Sequence, residues 1–179
     1  MNEKNVKSAV VSFAAMAIAV LSGCSSDPNS GYTGKSMYRT NIKTIAVPMT
    51  TRGEDVYRRE NEMRMTEALV KRIELDTPYK VTVQSRADTT LTSSIEQINQ
   101  AVMSYNPDTG NPRDISVTFV VSFKWVDNRT GKILVEEKAY PITDTYISSS
   151  PFNEQFFQGS ESVINKVAER IVEHLQHDW

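Results

Sequence analysis

Apolar and polar residues alternate from Ile115 to Trp125: Ile115, Val117, Phe119, Val121, Phe123 and Trp125 share one parity, while Ser116, Thr118, Val120, Ser122, Lys124 and Val126 hold the other. A two-residue period over that length predicts a long strand with one face on a core. "NPDTGNPR" (106–113) before it and "DNRTG" (127–131) after it carry the Pro, Asp, Gly and Asn of hairpin turns. Ahead of the first turn, "TLTSSIEQINQAVMSY" reads as a strand with a bulge, because Leu91 and Ile95 keep one parity and Ile98 and Val102 the other. Helix is the rival over 94–103, since Ile95, Ile98 and Val102 also fit helical spacing. "KILVEEKAY", after the second turn, is expected to be a third strand of the same meander.

Elsewhere the period changes to that of a helix. Met65, Leu69 and Ile73 recur at four-residue steps, with Met63 and Val70 widening the stripe and charged residues filling the rest, which predicts a helix from Arg58 to Leu75, ended by Pro78. Val163, Ile164, Val167, Ala168, Ile171, Val172 and Leu175 predict a second one from about Asn153 to His177. "IKTIAVPM" (42–49), a β-rich run ended by Pro48, and "YKVTV" (79–83) flank the first helix. A helical crossover between two strands implies parallel pairing and a right-handed connection. After Pro141 a polar stretch is expected to run through Pro151. The sum is an α+β, two-layer sandwich: two helices packed on one face of a four- to five-stranded mixed, mainly antiparallel sheet, whose other face is open to solvent or a partner.

The chain's beginning has a different character. Lys4 and Lys7 precede the uncharged "AVVSFAAMAIAVLSG", and a positive start before a short apolar stretch and small residues is the make-up of a secretory signal peptide. The run from Ala9 to Gly23 falls short of the ~20 residues a membrane-crossing helix needs. "LSGC" (21–24) resembles the bacterial lipobox, which implies cleavage before Cys24 and acylation of that residue, so that residues 1–23 are signal peptide and Cys24 begins the mature protein. Acyl chains hold a protein on a membrane at about 0.8 kcal/mol per buried methylene. Ser25 and Ser26 follow in place of an aspartate, which in this resemblance implies sorting to the outer membrane. Residues 24–40, rich in Ser, Gly, Thr and Asn, read as the lipidated terminus and a flexible linker, and 41–179 as the folded domain. "GYTGKS" within the linker is no phosphate-binding loop: Asn29 stands where the motif needs glycine, and no strand precedes it.

Charge adds little: 20 Lys+Arg against 22 Asp+Glu give a net charge of −2, with no long run of either sign, so bulk charge predicts no nucleic-acid partner. Cys24 is the single cysteine, so no disulfide within the chain staples the fold. No catalytic constellation or cofactor site emerges, and a non-enzymatic role is expected. His174 and His177 with Glu173 offer no third ligand for a zinc site, and histidines in a last turn more often complement the helix dipole. Glu136 and Glu137 fall on opposite faces of a strand, Ser148–Ser150 lack a nucleophile elbow, and Asn128-Arg129-Thr130 is a sequon that a turn asparagine explains.

Taken in order, "LSGC", "GYTGKSMY", "IKTIAVPM", "TEALVKRIELDTPYKV", "ADTTLTSSI", "MSYNPDTGNPR", "FKWVDNRTGKIL" and "INKVAERIVEHL" resemble the LptE family of lipopolysaccharide-assembly lipoproteins over nearly the whole mature chain. The departure is "PMTTRGEDVY", where that family commonly has an aromatic residue and an asparagine after the proline. The resemblance implies a lipid-anchored protein on the periplasmic face of the outer membrane, the plug and folding partner of the LptD β-barrel, assisting lipopolysaccharide delivery. Recognition of lipopolysaccharide phosphates calls for exposed cations, and Arg113, Arg129 and Lys132 at the two hairpin ends are the candidates. The alternative is a lipoprotein that activates a peptidoglycan synthase or belongs to a secretion assembly, since such proteins share the lipobox and the first strand and helix. A periplasm-spanning activator wants a longer tether than about 16 residues, which reach at most ~55 Å.

Overall fold

A computed structural model describes residues 36–53, 56, 60–148 and 156–176. Ser36–Trp179 is one compact unit. Along it run β1 (Thr44–Ala46), β2 (Thr51–Arg52), α1 (Glu60–Asp76), β3 (Lys80–Val81), a 3-10 turn (Gln84–Arg86), β4 (Thr89–Tyr105), β5 (Pro112–Asp127), β6 (Ile133–Ile147) and α2 (Phe156–Glu173). The strands form one mixed sheet in the order β3-β1-β4-β5-β6, with β2 also paired to β4. The fold is α+β, as the sequence pattern predicts.

β3 lies parallel to β1, Thr44 opposite Lys80, as the helical crossover requires. β1 and β2 both run parallel to β4, with Ile45 opposite Thr89 and Thr51 opposite Ser94. Of the expected strand over 42–49, Thr44–Ala46 pairs as β1; Pro48, which has no N–H to give a ladder, follows it, and β2 lies beyond the expected run. β4 is strand throughout, and its register shifts between Ile95 and Gln97, so Leu91 and Ile95 before the bulge and Ile98 after it face the same side. β6 extends past Pro141 to Ile147, where a polar connection was expected. Proline is tolerated there because β6 is the last strand of the sheet. Just before it, Ala139 takes a positive φ of 51° at a register shift, and its N–H donates to Ser122 Oγ at 3.1 Å.

The odd-numbered residues of β5 from Val117 to Trp125 are all buried and meet the helices. On α2, each apolar position expected to face the core is buried, from Val163 to Val172, as is Leu175 just past its end. On α1 the stripe is Asn61, Met65, Leu69 and Ile73, and Met63 points to solvent at 52 % exposure, so the apolar face is narrower than its spacing suggested. Residues 153–155 and 177, assigned to the second helix from sequence, lie outside the described residues, as do 57–59.

The packed body takes in Tyr38 and Arg39. Tyr38 meets the buried Tyr79 edge-on at 5.7 Å and donates its hydroxyl to the Asp76 carbonyl at the end of α1. Tyr79 in turn lies 5.8 Å from Trp125, and the Arg39 guanidinium sits 5.9 Å over the indole. Burial raises the Tyr79 hydroxyl's pKa against the lowering effect of the Arg39 N–H that it accepts.

Candidate functional site

Two ends of the long sheet differ in chemistry, because β4, β5 and β6 outrun the short strands beside them. Beyond Ile95, β4 has β5 as its one neighbour among the described strands. This far part, Gln97–Tyr105, carries no charged residue, and Val102, Met103 and Tyr105 are exposed. It forms an arm whose tip is locked by its own turn: Asn106 Oδ1 accepts the Asp108 N–H at 2.9 Å, and Gly110, at φ 71°, donates to the Asn106 carbonyl. On the face away from the helices, Thr92, Ser94, Thr118, Ser122 and Thr143 make a hydroxyl-rich surface, with Thr118 and Thr143 joined at 2.7 Å. The alternation of Ser and Thr with core residues places them there.

At the opposite end, loops are stitched by two aspartates. Asp88 accepts the N–H groups of Lys43 and Thr44 and the Thr44 hydroxyl, at 3.0–3.1 Å, and these bonds hold its carboxyl below the usual aspartate range. Asp127 Oδ1 accepts the N–H groups of Arg129 and Thr130, which lowers its pKa likewise. Asn128 bridges the two: its Nδ2 donates to the Ala87 carbonyl, its Oδ1 accepts from Thr90, and its own N–H reaches the Asp88 carbonyl. Its amide is thus committed to the fold, in keeping with its reading as a turn residue.

The three candidate cations are not brought together. Arg113 stands on β5 beside the arm, whereas Arg129 and Lys132 stand in the β5–β6 turn, and the intervening strand separates them by about 46 Å. All three are exposed, and Arg129 Nε lies 3.8 Å from Asp127 Oδ1. Cys24 lies outside the described residues. His174 stacks between Phe123 and Tyr140 at 5.6 and 5.7 Å, so aromatic packing positions it, and His177 lies outside the described residues. Among the described residues no cluster of three or more His, Cys, Asp or Glu could hold a metal ion. Glu136 and Glu137 face opposite sides of β6, and Ser148 Oγ donates to the Pro112 carbonyl. No helix among the described residues is long and apolar enough to cross a membrane. Sequence reading missed the roles of Tyr38, Arg39 and Asp88. An aromatic-basic pair at the end of a Ser/Gly stretch is a faint signal for the first two, and Asp88 gives none beyond being a loop aspartate before a strand.

The lipopolysaccharide-assembly family model matches residues 42–178, from just before β1 to beyond α2. The chain belongs to the LptE family. Its membership places it among non-enzymatic lipopolysaccharide-assembly lipoproteins. No curated protein matches the sequence. Among solved structures, it is similar to an uncharacterized lipoprotein B from Nitrosomonas europaea, with 12 % identity over 83 % of this chain and 97 % of that one and a TM-score of 0.49. The rare lipoprotein B from Shewanella oneidensis is similar at 17 % identity over 73 % and 92 %, with a TM-score of 0.45. A PelC L103M dodecamer from Paraburkholderia phytofirmans is similar at 15 % identity over 82 % and 96 %, with a TM-score of 0.48.

Proposed function

We propose that this LptE-family chain is an outer-membrane lipoprotein, anchored by acyl chains on Cys24 at the periplasmic face, that plugs an LptD-like β-barrel, helps it fold and assists delivery of lipopolysaccharide. The observation that carries the reading is the family match over the whole folded body. The geometry supports it. A barrel lumen is polar, and the sheet offers it a hydroxyl-rich face and an uncharged arm, both without a covering layer among the described residues. A plug needs shape and satisfied polar surface, and no catalytic group takes part in this role. A shared membrane raises the partners' effective concentration. Phosphates of lipopolysaccharide would meet Arg113 at the arm and Arg129 with Lys132 at the other end, as separate contacts.

Crosslinking in intact cells followed by purification of the tagged protein tests this. Recovery of an outer-membrane barrel, and an N-terminal peptide whose mass carries acyl chains on Cys24, is the expected result. Recovery of a peptidoglycan synthase in place of a barrel overturns it.

A further inference from the structure

Hydrogen bonds fix which peptide groups β4 turns away from β5. The Thr92 hydroxyl donates to the Lys124 carbonyl and the Ser116 hydroxyl to the Ala101 carbonyl, both at 3.2 Å, so the even-numbered residues of β5 are the ones bonded to β4. The Arg113 carbonyl accepts the Ser148 N–H, which leaves the odd-numbered ones for β6. Before the bulge, the residues of β4 that point outward are Ser93 and Ile95, and the chain covers them itself. The Ser93 carbonyl accepts from the Thr51 hydroxyl, and the Ile95 carbonyl from the Gly53 N–H at 2.8 Å. That cover ends at Gly53, where a Cβ would lie 2.8 Å from the Glu96 carbonyl oxygen and where the Val56 N–H closes a turn on the Gly53 carbonyl. After the bulge the outward residues are Ile98, Gln100 and Val102, opposite Phe119, Val117 and Ile115. Among the described residues no strand pairs with them on that side and no loop bonds their peptide groups.

We propose that this edge is completed by strand addition: an extended, uncharged segment of the β-barrel partner, turned from the wall into the lumen, pairs with Ile98, Gln100 and Val102. The proposal rests on the plug reading above and says how the plug is held. An uncovered edge ordinarily carries charge or proline that keeps other strands off it. β6, at the far side of the sheet, has Glu136, Glu137, Lys138 and Pro141, whereas Gln97–Tyr105 has neither a charged residue nor a proline. That difference marks the β4 edge as one that a partner covers. The wall strands of a closed barrel bond one another all round, so the segment comes from a loop. It is uncharged because a Lys or Glu set beside this stretch would find no counter-charge on it. Main-chain bonds supply the affinity of such a contact and alternate side chains its specificity. Ile98, packed on the core, and Val102, at 41 % exposure on the same face, give the added strand an apolar margin to cover. From Ile98 to Val102 the paired length is about five residues, or about 17 Å.

The test purifies the tagged full chain, with the barrel bound to it, from detergent-solubilised outer membranes, and compares Gln100→Pro with Gln100→Ala. Proline removes the outward N–H and is tolerated at an edge position, whereas alanine removes the side chain and keeps the N–H. Barrel recovery should fall at least about tenfold with Gln100→Pro, in a protein whose thermal transition is unchanged. With Gln100→Ala it should stay within about twofold, as for a surface substitution. In the wild-type complex, hydrogen exchange resolved to single residues should slow at least about tenfold at Ile98, Gln100 and Val102 relative to the free chain. Wild-type recovery with both variants overturns strand addition and leaves the plug standing. Equal loss with both assigns the contact to the Gln100 side chain and overturns it as well. If proline disturbs the fold, exchange in the wild-type complex decides: slowed at the three outward amides, the proposal stands; unchanged on binding, it falls. A wild-type chain that brings down no barrel overturns the plug reading and the proposal together. Slowing of the same amides in the concentrated chain alone makes the occupant a second copy and overturns the barrel assignment.

Discussion

Gly159 gives the Tyr146 ring the space that a methyl group would fill: a Cβ on this glycine would lie 2.3 Å from Cδ1 and 2.8 Å from Cγ of the ring. This close approach seats the first turns of α2 on β6. Asp144 reinforces it, accepting from Ser162 and lying 3.6 Å from the Lys166 ammonium, whose Nζ also donates to the Thr143 carbonyl. Desolvation raises the Asp144 carboxyl's pKa, and these partners outweigh it to leave the value low.

Replacing Gly159 with Ala should therefore destabilise the domain, although alanine favours a helix by about 1 kcal/mol over glycine. Forcing a methyl into a packed contact costs about 1–3 kcal/mol, and here the obstacle is an aromatic ring held in the core. Chemical unfolding should show a net loss of about 1 kcal/mol or more. Combining it with Tyr146→Leu, which removes the ring, should cost less than the two changes summed.

Ala139 makes the opposite case. Its φ of 51° is a left-handed conformation in which a side chain crowds its own backbone. Ala139→Gly should stabilise the protein by about 0.5–1 kcal/mol, the strain relieved less the extra freedom of the unfolded glycine. Urea midpoints of the two proteins check it.

Asp88 makes the fold acid-sensitive. Its folded pKa lies below its unfolded one, so its contribution is full above the unfolded value, near pH 4, and is lost as pH falls through the folded value. Asp88→Asn should lower the melting temperature at pH 7 and show a flatter acid limb, the two proteins converging as pH falls through the folded value. A gap that stays constant down to pH 2 would contradict the assigned bonds.

Substitutions on the arm should separate folding from assembly. Val102→Asp with Met103→Asp changes exposed positions, so unfolding should shift by no more than about 0.5 kcal/mol. Barrel recovered by crosslinking should fall by about tenfold, equivalent to 1.4 kcal/mol of lost contact.

Much of the fold was legible from periodicity. β5 announced its buried face through Ile115–Trp125, α2 through Val163–Leu175, and the parity change between Ile95 and Ile98 located the bulge of β4. What escaped was set by neighbours in space. Pro141 reads as a strand terminator until its edge position is known, Met63 fits a stripe that packing made narrower, and Tyr38 packs against the core because Tyr79 and Asp76 stand ready to receive it. The candidate cations were legible as exposed turn residues, but their separation depended on the length of β5 as it lies in the sheet.

The two margins of the sheet are unequal. β6 interrupts one with Pro141 and the kink at Ala139, while the last part of β4 has, among the described residues, no strand paired along the other. Growth by strand addition thus has one direction, and a cell that makes this protein in excess of whatever covers the arm should accumulate oligomers joined there.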